Sequence, residues 1–299
     1  MGCNMKKYNN PVGVSKFTGL FLITPFIIGG ALFIIYPFVC SFVTGLTQYD
    51  SIHTPEFIGL ANYRKMLTDR NFLKAVGVTF RYTVIFVPFK IIVSLLTALI
   101  LSINIKGIGF YRTAFYIPSI LGSNLAVAIM WQYLFTSDGL VNQFLEILGM
   151  SPVSWYGDAK YALFIIILLR LWEFGSTMII FLTALKDIPK EYYEASRVDG
   201  CGSIRAFFSI TLPLIKNTIF INVILQTISA LQEFNAPYMI TEGNPMKSTY
   251  TVGMLIYDEM FSYHNAGYAN AISWVLFVLT AVIVFIMFRV TRKNRGESQ

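Results

Sequence analysis

Six long apolar segments dominate this chain of 299 residues. They cover residues 17–44, 76–102, 112–135, 161–184, 217–240 and 267–289. Each is long enough to cross the ~30 Å hydrocarbon core of a bilayer as a helix. Charged residues make up only 13% of the chain, about half of the ~25% that is usual in soluble domains. The sequence therefore predicts an all-α membrane protein with six transmembrane helices, and it excludes a soluble enzyme, a disordered chain and a fibrous repeat.

The Lys and Arg residues lie unevenly on the two sides of these spans. The N-terminus, the second-to-third connection, the fourth-to-fifth loop and the C-terminal tail carry 14 of them, and the other loops carry 6. Positively charged loops stay in the cytoplasm, so both termini are predicted to be cytoplasmic. The predicted organisation is a cytoplasmic N-terminal segment (1–16), a six-span transmembrane domain (17–289) and a cytoplasmic tail (290–299). The net charge of +7 then faces anionic headgroups and gives no reason to expect a nucleic-acid partner.

The longest predicted cytoplasmic loop, residues 186–216, carries a spaced motif. Pro189 suits the start of a helix, and Gly200 suits a helix end because glycine takes positive φ freely. The spacing is Glu-Ala-Ser, three residues, Gly, nine residues and Ile-x-Leu-Pro. Its candidate functional residues are Glu194, Ala195, Ser196, Asp199, Gly200, Ile210, Leu212 and Pro213.

This motif resembles the EAA loop of permease subunits from binding-protein-dependent ABC importers, with Ser196 in place of the second Ala. Segments 57–63, 109–112 and 241–245 are similar to the sugar-importer permeases of the maltose and glycerol-3-phosphate group. The resemblance implies the type I importer permease fold. It also implies that the loop is a coupling helix, which passes closure of an ATPase dimer to the spans.

The same resemblance implies partners and a location. The partners are a second permease subunit, most simply in a heterodimer, two ATPase subunits, an extracytoplasmic sugar-binding protein and membrane lipid. The location is the bacterial or archaeal plasma membrane. Residues 243–249 look superficially like a phosphate-binding loop but lack its glycines. We therefore expect that the chain is not an enzyme and binds no cofactor. ATP and Mg are expected on the partner ATPase. Its three cysteines are far apart and predict no metal site.

Four ionisable residues fall deep within the predicted spans: Lys90, Arg170, Glu173 and Glu233. Such groups are costly in a membrane and usually face a bundle interior or a water-filled cavity. By depth, Arg170 is able to pair with Glu233 or with Glu173, and Lys90 with Glu173.

Polar residues in two spans share a narrow face. The fifth span carries Asn222, Gln226, Ser229 and Glu233 at intervals of four, three and four. An aromatic ring beside hydroxyl and amide groups suits a sugar. The sugar-contacting positions of the resembled family fall on Trp172, Glu173, Ser176, Gln226, Ser229 and Glu233. The alternative interpretation is hydrogen bonding or ion pairing between helices.

Two functions are compatible with these patterns. The first is the transmembrane permease subunit of an ATP-driven ABC importer that translocates a sugar or oligosaccharide. The second is a standalone ion-coupled transporter or a membrane-embedded enzyme, which calls for inverted repeats, broken helices or a catalytic set. The deep charges balance, so a neutral oligosaccharide is the expected substrate. An acidic sugar that competes with Glu233 for Arg170 is the sharper hypothesis.

Overall fold

The computed structural model describes residues 16–103, 106–122 and 124–296, and almost all of the predicted N-terminal segment lies outside these ranges. Three helices are long: α1 (Lys16–Gly30) continues through a π-helical turn into α2 (Tyr36–Gly45), α4 spans Arg70–Ser102, and α16 spans Ala266–Gly296. The other helices are α3 (Ala61–Thr68), α5 (Ile108–Leu121), α6 (Leu125–Leu134), α7 (Leu140–Ile147), α8 (Ala159–Trp172), α9 (Gly175–Lys186), α10 (Lys190–Val198), α11 (Ser203–Ala206), α12 (Leu212–Leu214), α13 (Lys216–Leu231), α14 (Asn235–Thr241) and α15 (Val252–Tyr257).

Three of the spans are continuous helical segments, and three are pairs of helices that meet at a bend. The α1–α2 helix, α4 and α16 are each long and apolar enough to cross a membrane. The pairs α5–α6 and α8–α9 bend by 101° and 46°, and the segment Ser203–Leu214 meets α13 at 67°. With each bent pair counted as one span, the described residues hold up to six. The fifth then runs over 203–231 instead of the predicted 217–240, and its first part lies in the loop 186–216. The prediction of an all-helical, six-span membrane protein is confirmed.

Helix α4 forms the centre of the bundle. It packs against α8, α9, α13 and α15, while α16 packs against α2 and α13. The largest fully buried side chains include Tyr82, Ile165, Ile166 and Phe181, which lie in one continuous core. Residues 20–30 of α1, by contrast, include none that is buried. This helix therefore presents its whole circumference to lipid or to another subunit.

Small elements between the first and second spans fix the outer end of the bundle. Strands β1 (Thr47–Gln48) and β2 (Glu56–Phe57) pair antiparallel, with Thr47 opposite Phe57. The amide of Asn62 in α3 donates to the carbonyl oxygens of Gly45 and Thr47, at 3.0 and 2.9 Å. These bonds hold α3 against the end of α2.

Candidate translocation site

The fourth predicted span is broken in its middle, where α8 ends at Trp172 and α9 begins at Gly175. A break in a membrane helix frees backbone groups that neighbouring side chains must satisfy. The Ser119 hydroxyl of α5 donates to the Glu173 carbonyl at 2.9 Å and accepts from the Ser176 amide at 3.1 Å. Gly175 permits this approach, because a Cβ there would lie 2.6 Å from the Phe115 carbonyl oxygen.

Helix α4 satisfies the same break from the other side. The Lys90 ammonium donates to the Arg170 carbonyl, and the Ser94 hydroxyl donates to the Phe174 carbonyl at 3.4 Å. Lys90 is 4% exposed and has no carboxylate within 4 Å among the described residues. The depth-based pairing of Lys90 with Glu173 is therefore not the contact that the structure shows, because the freed carbonyl of Arg170 takes the ammonium instead.

A buried ion cluster joins this break to a second one. The fifth predicted span, 217–240, is also interrupted: α13 ends at Leu231 and α14 begins at Asn235. Glu233 lies in the gap, and its Oε2 is 2.8 Å from Nε of Arg170. Arg170 also binds Glu173 through Nη1, so it contacts both of the carboxylates predicted as its alternatives. The three side chains are between 3% and 18% exposed.

Glu233 also makes hydrogen bonds that hold the break between α13 and α14. The other oxygen of Glu233 accepts from the backbone amide of Ala236 at 3.2 Å, where α14 begins. The Glu233 carbonyl accepts from the Thr251 hydroxyl at 2.8 Å, which anchors the start of α15. Helix α14 in turn packs on α6 and α8. One arginine thus connects four helix ends, and two cations face two carboxylates within the bundle.

The proposed sugar-contacting residues separate into two groups. Glu173 and Glu233 are engaged by Arg170, and the amide of Gln226 donates to the Thr177 hydroxyl at 3.0 Å, which ties α13 to α9. Trp172, Ser176 and Ser229 are exposed. The Trp172 ring is 38% exposed and lies 6.1 Å from the ring of Trp131. Three of the six residues are therefore open to a ligand, and three hold helices together.

Sequence reasoning named Lys90 but missed Ser94 of α4 and Ser119 of α5, which also support the site. Lys90 and Ser94 share one face of α4 with Thr79 and Thr83, at intervals of four, seven and four. That periodicity was available in the sequence as a signal. Nothing comparable marks Ser119, whose role depends on a break in another helix.

The loop 186–216 has the predicted helix, glycine and second helix. Helix α10 ends in a Schellman motif: Gly200 has φ +73°, its amide donates to Arg197 O at 3.0 Å, and the Cys201 amide donates to Ser196 O at 2.8 Å. No residue of α10 is buried. After α11, a π-helical turn (Phe207–Thr211) leads into α12, which contains Pro213.

Apolar side chains of this loop project into open space. Tyr192, Val198, Ile204 and Phe208 are between 53% and 88% exposed. The Tyr193 hydroxyl, in contrast, lies 2.8 Å from the Thr211 hydroxyl and joins the two halves of the loop. Several large apolar side chains exposed in one loop, beside charged residues such as Glu194, are typical of a protein–protein contact.

The opposite end of the bundle has a polar cavity of about 500 Å³ beside α3 and the start of α16. Its lining includes Asp50, His53, Lys65 and Tyr268. His53 Nδ1 lies 2.6 Å from Asp50, and this hydrogen bond raises the pKa of His53 and lowers that of Asp50. Lys65 lies over the Tyr268 ring at 3.9 Å.

Known proteins share this chain's sequence and fold over most of its length. Residues 70–295 match the family described as binding-protein-dependent transport system inner membrane component. The probable ABC transporter permease protein YesP of Bacillus subtilis is 39% identical, covering 96% of this chain and 94% of YesP. The trehalose/maltose transport system permease protein MalF of Thermococcus litoralis is 35% identical, covering 93% and 94%.

A solved structure shows the same fold at low identity. A chain of the bacterial ABC transporter involved in the import of the acidic polysaccharide alginate superimposes with a TM-score of 0.82. The match covers 93% of this chain and 96% of that one, at 20% identity. At this identity the likeness concerns the fold alone. Because this chain matches the importer family over residues 70–295, its own broken helices do not mark it as a standalone transporter.

Proposed function

This chain belongs to the family of binding-protein-dependent transport system inner membrane components, and on that premise we propose that it moves a neutral oligosaccharide across the membrane. Its relatives are sugar ABC transporter permeases. Of the two predicted functions, the importer permease subunit is thus the correct one, and the chain is a multi-pass membrane protein.

The ion pairs of Arg170 are the observation that supports a neutral substrate. Its guanidinium already contacts two carboxylates, and Glu233 is only 3% exposed on its side chain. An acidic sugar would have to displace Glu233 and leave that carboxylate buried without a cationic partner, with only the Ala236 amide as donor. Removing one partner of a buried pair costs about 3–5 kcal/mol. A substrate with hydroxyl groups only avoids this cost.

We place the sugar contacts at the exposed members of the predicted set. Trp172 offers a ring face for the C–H groups of a pyranose. Ser176 on α9 and Ser229 on α13, two helices that pack together, offer exposed hydroxyls. Glu173, Glu233 and Gln226 support this surface through their contacts with Arg170 and Thr177. In this arrangement the buried cluster shapes the path, and the exposed residues meet the substrate.

The loop 186–216 is the proposed coupling element. Its exposed apolar residues fit the cleft of an ATPase subunit, and the Schellman motif at Gly200 makes the bend between its two halves rigid. ATP and Mg belong to two such ATPase subunits, and this chain binds no cofactor in the proposal. A second permease subunit covers α1 in a heterodimer. An extracytoplasmic binding protein delivers the sugar to the importer. The importer itself lies in the plasma membrane of a bacterium or archaeon.

Uptake by the reconstituted importer tests the substrate and its contacts together. We expect Trp172→Ala to reduce uptake of a labelled neutral oligosaccharide at least tenfold, while Trp172→Phe retains part of it. Phe89→Ala removes an aromatic ring of comparable exposure from α4 (55%) and serves as the control. Normal uptake by Trp172→Ala would exclude the ring as a contact. Uptake of a uronide that neutral sugars do not inhibit would overturn the neutral substrate.

A further inference from the structure

An open groove of about 530 Å³ lies between the start of α13 and the C-terminal part of α16. The ion cluster lies beyond the opposite end of α13, at Glu233. Its apolar lining comprises Phe220, Ile221, Phe285 and Phe288. The rings of Phe220 and Phe288 meet edge to face, with centroids 5.3 Å apart, and connect the two helices. Ile221, Phe285 and Phe288 remain 54–60% exposed. The two helices therefore form a concave apolar surface, and no other described part of the chain covers it.

A positively charged side chain is part of the lining of this groove. Arg289 lines it, and its guanidinium carbon lies 5.6 Å from the centre of the Phe285 ring. In the part of the chain that the structure describes, no carboxylate lies within 4 Å of Arg289. The segment 289–295 carries four basic residues and no acidic one. Lys216, at the start of α13, is exposed and lies four residues before the lining residue Phe220 in the sequence. The groove thus combines aromatic and aliphatic side chains with one cationic side chain.

We propose that this groove binds one anionic phospholipid, with the headgroup phosphate on Arg289 and an acyl chain along the apolar wall. A guanidinium binds phosphate oxygens bidentately. Basic residues near an anionic membrane surface contribute about 1 kcal/mol each. Free phosphate would gain nothing from the three phenylalanines. The phosphate of phosphatidylcholine can also meet Arg289, but its choline cation offsets the charge, so a lipid with net negative charge gains more from the basic segment 289–295. This site is separate from the sugar path and does not depend on the proposed substrate.

Lipid retention by the purified importer tests the site. The complex is extracted, exchanged into detergent with phosphatidylglycerol or phosphatidylcholine, and examined by native mass spectrometry. We expect the wild type to retain phosphatidylglycerol in preference to phosphatidylcholine. Arg289→Gln should weaken retention of phosphatidylglycerol roughly fivefold, as the loss of one membrane-surface charge predicts. Arg81→Gln is the matched control, because Arg81 is an exposed arginine of α4 that lines none of the described pockets.

A second variant tests the groove without changing its charge. Ile221→Trp fills the apolar wall and should also reduce retention of phosphatidylglycerol. If Arg289→Gln weakens binding and Ile221→Trp does not, the lipid sits at the surface only, and the groove site is wrong. Equal losses in Arg289→Gln and Arg81→Gln would overturn it as well. Unchanged lipid binding with a lower yield of assembled complex would show instead that another subunit occupies the groove.

Discussion

Arg170 is the residue on which the buried cluster depends, since it alone contacts both Glu173 and Glu233. We expect Arg170→Gln to lower the thermal unfolding temperature and the yield of assembled importer, because it leaves two buried carboxylates with one cation. Loss of one buried partner costs about 3–5 kcal/mol. The double variant Arg170→Gln/Glu233→Gln leaves one buried cation, Lys90, and one buried carboxylate, Glu173, in the bundle and should recover much of the stability.

The two variants also separate the readings of Arg170 that the sequence left open. A structural arginine predicts that the single variant fails with every sugar and that the double variant is the more stable of the two. A stable Arg170→Gln protein that loses only the uptake of acidic sugars would make Arg170 a substrate ligand. A double variant no more stable than the single one would contradict the charge balance described for the cluster.

Two glycines provide a second prediction at the same scale. A Cβ at Gly175 would lie 2.6 Å from Phe115 O and 2.8 Å from the Tyr116 Cα, and backbone atoms cannot move aside easily. We expect Gly175→Ala to destabilise the importer by about 1–3 kcal/mol, the usual cost of overpacking. Gly77→Ala is the control, since nothing lies within 4 Å of that position in α4. Equal unfolding temperatures for the two variants would exclude close packing at Gly175.

The predictable parts of the site are those that follow from the position of a residue within its own apolar segment. Arg170 and Glu233 are predicted at similar membrane depth, because the ends of both apolar segments can be located in the sequence. The contacts of Ser94 and Ser119 were not predictable, because they satisfy carbonyls that become free only when α8 and α9 separate. The face of α4 that carries Lys90 was visible as a periodicity, but its partner was not.

At the scale of elements, apolar runs predict how many spans there are better than they predict their shape. The run 161–184 gives no sign of a 46° bend except Gly175, and the run 217–240 continues through the gap that holds Glu233. Hydropathy averages over such breaks, whereas their cause is packing of other helices on freed backbone groups. The loop 186–216 was more predictable, since its proline and glycine act locally on φ.

The glycine at the end of α10 gives a prediction for this element. At φ +73°, an L-residue with a branched side chain costs about 1–2 kcal/mol. We expect Gly200→Val to insert normally but to reduce the ATP hydrolysis that loaded binding protein stimulates in vesicles. Gly200→Asn should be milder, because asparagine tolerates positive φ. Gly202→Ala is the control, since Gly202 has φ −70° and open space around it. Full stimulation in Gly200→Val would count against the coupling role.

At the scale of the whole molecule, contacts show which loops share a side of the membrane. The groove lined by Phe220 and Arg289 brings the start of α13 and the end of α16 together, so the loop 186–216 and the C-terminal tail lie on one side. The Lys74 ammonium donates to Met246 O, and Lys247 donates to Asn71 at 2.9 Å, which joins the start of α4 to the loop before α15 on the other side. The predicted division of loops agrees with these contacts.

Which of these sides faces the cytoplasm follows from charge. The side with the loop 186–216 carries 14 Lys and Arg residues and the other carries 6, so the first is expected to be cytoplasmic. On a background with Cys3, Cys40 and Cys201 replaced by serine, Tyr263→Cys should react with an impermeant maleimide added to intact cells. Lys190→Cys should react only after permeabilisation, which also shows that this exposed position is reactive. The opposite labelling would place the loop outside, where no ATPase subunit is able to dock, and both the orientation and the coupling role would fall together.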